Sequence, residues 1–262
     1  MMTRRLRWLL ASVLAFTGME WGGDDPAAAK DRPPEPGAAL QQIVELEYTA
    51  RLLAILLDSG RSVINENLPL FDDPQQAGKV TAAAFDRQLA DIFLGRSGTD
   101  LRDLDHAKIP ARSKRLLKEL VTVSKEIVAE AQQELMRPPV GGKGFIPAVF
   151  GARTAARFSE RTGVRLKQTA LAPRNPANAP DSAEKLALET FADSNYPREK
   201  VISEVTAKSR LLRLMYPLYT TRHCLDCHGE PKGERDKMGY PREGLKLGQN
   251  AGAISVIIPL QP

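Results

Sequence analysis

The sequence predicts an α+β protein, with long N-terminal helices followed by an antiparallel sheet and its flanking helices. Three observations carry that prediction. Apolar residues recur at three- and four-residue steps over 38–67 and again after Ser113, the period falls to two beyond Gly163, and a Gly- and Pro-rich stretch, 217–250, separates two strand-like runs near the C-terminus. The expected division is a leader (1–29), a proline-rich tether (30–37), a helical region (38–140) and a sheet domain (141–262).

In the leader, Arg4, Arg5 and Arg7 precede an apolar run from Trp8 to Phe16, and Ala27-Ala28-Ala29 offers a small-residue cleavage site before Lys30. A secretory signal peptide, and with it a periplasmic location, is the expectation. The run falls short of the ~20 residues a spanning helix needs, so no transmembrane anchor is expected after cleavage. Three prolines make 30–37 a tether. Leu40, Ile43, Val44, Leu46, Leu53, Leu56, Leu57, Val63 and Ile64 predict one apolar side of a helix over 38–67, broken by Pro69, Pro74 and Gly78. A second helix is expected over 80–94, closing on Gly95, and a loop over 95–111 that carries His106. Ser113 is the expected N-cap of a third helix, stopped by Pro138-Pro139. These helices have two candidate packing partners, the sheet domain and a second copy of the chain as a homodimer.

After the flexible joint 141–144, a helix over 148–161 ending on Gly163 leads to a strand over 164–171. Gly141-Gly142-Lys143-Gly144 lacks both the Gly-Lys-Ser/Thr order and the preceding strand of a phosphate loop. Asp181 and Glu184 mark a capping box for a helix reaching Phe191. Residues 200–207 and 210–216 read as a hairpin, and 251–258 as a final strand.

The Gly- and Pro-rich stretch contains Cys224-Leu225-Asp226-Cys227-His228, and these are the only two cysteines in 262 residues. Thiols three positions apart can each add across one vinyl group of a haem, while the adjacent imidazole takes an axial position on the iron. The expectation is one covalent haem c per chain, held by Cys224 and Cys227, with His228 as the proximal iron ligand. A structural zinc needs four ligands and finds no second ligand pair, and a redox-active dithiol normally stands where a strand feeds a helix. Candidates for the distal side are His106, Met136, Met215 and Met238. Phe145, Phe150, Phe158, Leu214, Tyr216, Tyr219 and Tyr240 are candidates for an apolar slot, and Arg153, Arg174 and Arg222 for the propionate edge.

Gly144-Phe145-Ile146-Pro147-Ala148, the run from Arg174 to Asp181, Cys224 to Gly229, and the closing Gly252-x-Ile254-Ser255-Val256-Ile257-Ile258-Pro259 together resemble a family first catalogued as a domain of unknown function. It comprises exported proteins with a single c-type haem and a PAS-like fold, the cyanobacterial Tll-type haem-PAS cytochromes. The resemblance runs from about Leu53 to Pro259. It implies a PAS-like antiparallel sheet, a haem linked through Cys224 and Cys227 with His228 proximal, and redox or small-ligand sensing. One relative uses a cysteine sulfur as sixth ligand; this chain has no cysteine to spare.

Charge narrows the partners. Removing residues 1–29 takes away three arginines and three acids, so the net charge stays at +5. No aromatic-interleaved basic stripe accompanies it, which argues against nucleic acid and leaves docking to a redox or signalling partner protein. Electron transfer as a cytochrome c is the alternative function. A peroxidase-like enzyme would need a distal acid/base, for which His106 is the one obvious histidine, and no catalytic residue is assigned.

Overall fold

The computed structural model describes residues 36–72, 79–135, 144–206 and 210–260. The leader, most of the tether, Met136, the Pro138-Pro139 stop, most of the 141–144 joint and the turn at Lys208-Ser209 lie outside the described residues. Among the described residues are seven α-helices and four strands: α1 (Pro36–Glu66), α2 (Leu68–Asp72), α3 (Ala82–Ser97), α4 (Ala111–Leu135), α5 (Pro147–Thr162), β1 (Arg165–Thr169), α6 (Ser182–Ala192), β2 (Ile202–Thr206), β3 (Leu211–Tyr219), α7 (Arg222–His228) and β4 (Asn250–Pro259). The expected α+β class is the observed one.

The strands form one antiparallel sheet in the order β1-β4-β3-β2. The last strand of the chain thus lies between the first and third. Residues 252–258 of β4 are all buried, because this central strand is covered on both faces and so reads as a continuous apolar run. One face presents Leu166, Leu212, Leu214, Ile254, Val256 and Ile258 to the main core built on α1, α3, α4 and α5. The other turns Met215 and Ala253 toward Ala187, Leu188 and Phe191 of α6.

Helix α1 departs from the one-sided reading. Leu52 to Leu57 are all buried, since α3, α4, α5 and the sheet surround the middle of the helix. The helices therefore pack on the chain's own sheet, and a single core runs through both regions. Leu40, Val44 and Tyr48 stay exposed at the start of α1. No helix among the described residues is long and apolar enough to cross a membrane.

Boundaries follow local chemistry, with two corrections. The second helix (α3) passes through Gly95 and ends at Gly98, whose φ of 71° is the left-handed cap conformation; Thr81 caps its start by accepting from the Ala84 N–H at 3.1 Å. Ser113 is inside α4 rather than its N-cap, buried, with its hydroxyl 2.7 Å from that of Thr49 on α1. The capping box is present: the Glu184 N–H donates to Asp181 at 2.8 Å, and the Asp181 N–H to the Glu184 carboxylate at 2.9 Å. Helices α4 and α5 are laced by Arg153–Glu134, Arg157–Glu130 and Arg161–Glu126, exposed pairs worth little one at a time.

Where α1 meets α5 there is no room for a side chain. A Cβ on Gly60 would lie 2.7 Å from the ring of Phe150. Gly60→Ala is expected to lower stability by about 1–3 kcal/mol in chemical denaturation, the usual cost of overpacking, despite alanine's better helix propensity.

Candidate functional site

Strands β3 and β4 are joined by an excursion that leaves the sheet after Tyr219 and returns at Asn250. Thr220 closes its neck. The Thr220 N–H donates to the Gln249 carbonyl at 2.9 Å, its carbonyl accepts from Gly248 at 3.0 Å, and its hydroxyl donates to the Lys246 carbonyl at 2.5 Å. Helix α7 follows at once and holds the Cys-x-x-Cys-His run. It stops at Gly229, where a Cβ would come within 2.5 Å of the Leu225 carbonyl oxygen that the Gly229 N–H bonds. The Cys224 sulfur lies 3.3 Å from the Thr221 hydroxyl.

Both cysteines are free thiols, neither fully buried nor fully exposed. Burial pushes the Cys227 thiol up, and the charge of Asp236 adds to that. Among the described residues no cluster of three or more His, Cys, Asp or Glu could hold a metal ion.

Opposite α7, residues 229–249 fold into a small knot around Asp236. Its side chain is fully buried and accepts from the N–H groups of Met238 and Tyr240, each at 2.9 Å. Arg174, from the connector before α6, enters this knot. It donates to Asp236 at 2.6 Å, to both oxygens of Glu243 at 2.6 and 2.9 Å, and to the Cys227 carbonyl at 2.8 Å, with its guanidinium 5.3 Å from the Tyr240 ring centroid. Glu243 in turn lies 2.8 Å from Nδ1 of His228. Burial works against the Glu243 charge, but the bonds from Arg174 and His228 outweigh it and hold the carboxyl below its ordinary range.

That contact fixes the histidine. An ionised carboxylate only accepts, so Nδ1 is the donor in this contact and Nε2 is the ring nitrogen left outside it. Two free thiols on one short helix, with an adjacent imidazole presenting Nε2, form the donor set a covalently held haem requires.

Of the distal candidates among the described residues, only Met238 shares the knot, half-buried, and of the slot candidates only Tyr240 does, under Arg174. His106 is 84% exposed and bonded to Asp103 at 2.6 Å. It precedes α4, whose Arg112 donates to the Pro259 carbonyl at the far end of β4 from the motif. Met215 is buried under α6. Phe145, Phe150, Phe158 and Leu214 belong to the main core, with Tyr216 packed against it. Tyr219 faces Arg198 at the end of β3, and Arg153 is paired with Glu134. Arg222 is exposed at the start of α7. Arg174 makes its bonds within the knot, to Asp236, Glu243 and the Cys227 carbonyl. The spacing pattern did not point to Glu243 and Asp236; both lie in a stretch without regular periodicity.

A family model described as Tll0287-like matches residues 40–259. The chain belongs to the Tll0287-like family. The Tll0287-like match begins in α1 and ends in β4, so it takes in the helices, the sheet and the excursion together. Among solved structures, the crystal structure of the cyanobacterial heme-protein Tll0287 is similar at 18% identity and a TM-score of 0.41, covering 58% of this chain and 99% of that one. No curated protein matches this Tll0287-like chain.

Proposed function

We propose that this Tll0287-like protein is exported, carries one haem c attached through Cys224 and Cys227 with His228 on the iron, and reports a redox change or a small ligand to a partner protein. The observation that carries the reading is the bond between Glu243 and Nδ1 of His228, which leaves Nε2 as the free ring nitrogen beside two free thiols. The family's namesake, cyanobacterial Tll0287, is a heme-protein, and the leader-like residues 4–29 support export. A bound haem supplies a one-electron couple and an axial position for a small ligand. The chain's own residues hold and orient the iron ligand and keep the attachment segment at the neck of the excursion. That neck is strung between the two central strands, both of which touch α1, and this continuity supports a mechanical route from motif to helices.

Electron transfer is the second reading. The His228 side chain is 41% exposed, and an exposed attachment segment favours exchange of electrons across a docked surface. Reduced spectra with and without carbon monoxide separate the two readings: binding of the gas supports sensing, and an unchanged low-spin spectrum supports the carrier.

The attachment itself is tested by periplasmic expression alongside haem-maturation factors. The native chain is expected to give a pyridine haemochrome spectrum and a covalent mass increase of one haem, and Cys224→Ser with Cys227→Ser to abolish both. A colourless native chain would overturn the reading.

A further inference from the structure

Resting on the haem reading above, we propose that Glu243 is the positioning residue for His228, that Arg174 and Asp236 fix it in place, and that this carboxylate stabilises the oxidised state of the iron that His228 holds. Every contact needed is in the knot. One carboxylate oxygen of Glu243 faces Nδ1 at 2.8 Å, while the fork of Arg174 grips both oxygens at 2.6 and 2.9 Å. Arg174 is itself immobilised by the fully buried Asp236, by the Cys227 carbonyl inside the motif and by the Tyr240 ring. The last heavy atoms of Glu243 are therefore fixed from two sides, and the imidazole plane with them.

A carboxylate accepting from Nδ1–H draws the proton toward itself and makes Nε2 a stronger donor. A stronger axial donor favours the higher oxidation state. Arg174 works the other way, since each bond it makes to Glu243 draws charge away from the imidazole. Glu243 and Arg174 thus set the donor strength of His228 between them, and removing one shifts it in the direction opposite to removing the other.

The test is a spectroelectrochemical titration of purified, haem-loaded protein. In Glu243→Gln the amide oxygen still accepts from Nδ1–H but carries no charge. The ratio of ferrous to ferric protein at a fixed ambient potential is expected to rise at least tenfold, ~59 mV for one electron. Glu234→Gln removes an exposed carboxylate of the same excursion without touching His228, and is expected to change the ratio less than twofold. Arg174→Lys keeps the cation but loses the fork, releases Glu243 charge toward His228, and is expected to lower the ratio at least threefold. Should Glu243→Gln fail to hold haem, the lysine variant carries the test. Equal shifts in Glu243→Gln and Glu234→Gln, or an unchanged ratio in Arg174→Lys, overturn the proposal and leave covalent haem standing. A native chain without covalent haem overturns both.

Discussion

Arg174→Ala is expected to release the 229–249 knot while the sheet stays intact. The Asp236 side chain is fully buried, and Arg174 is its cation at 2.6 Å. Deleting one partner of a buried pair strands the other charge and costs about 3–5 kcal/mol, relieved when the segment opens to water. The N–H groups of Asp236, Tyr240 and Arg242, and that of Leu245, which donates to the His228 carbonyl, should then exchange about a hundredfold faster by hydrogen-exchange mass spectrometry. Protection in β3 and β4 should hardly move. Unaltered exchange in the knot would show that the guanidinium is not what holds it. Asp236→Asn, which leaves no bare charge behind, should open it less.

The second large effect belongs to the main core. Phe150 is fully buried on α5, with ring centroids 5.5 Å from Phe85 and 6.2 Å from Phe145, and it lies over Gly60 of α1. Phe150→Ala should cost about 3–5 kcal/mol and lower Tm by about 10 °C, read by circular dichroism. Because this cluster belongs to the helical core and not to the excursion, haem attachment per folded chain should be unchanged. A loss below about 1 kcal/mol would mean that the ring is not part of a rigidly packed core. The two variants thus separate the motif's surroundings from the frame that carries them.

What the sequence made legible, and what it hid, divides along the range of the interactions. The capping box at Asp181 and Glu184, the stop at Gly163 and the β2–β3 hairpin are decided by residues within a few positions of one another, and all appear where the pattern places them. The Cys-x-x-Cys-His run is local too. The enclosure of the middle of α1 is not, because Leu52 to Leu57 form an unbroken apolar run, which carries no period to say that three other helices and the sheet cover it on every side. Gly95 offered a plausible stop, but the backbone turns left-handed at Gly98, three residues later. The clamp on His228 left no trace in the spacing, since Arg174 reaches partners 62 and 69 positions away and an ion pair has no periodicity.

The excursion from Tyr219 to Asn250 begins and ends on adjacent positions of neighbouring strands, drawn together by Thr220. A loop with its entrance and exit side by side behaves as a cassette. Its length and composition can change without re-threading the strands or disturbing the helices behind them. The frame and the excursion are then free to diverge at different rates, the frame constrained by its packing.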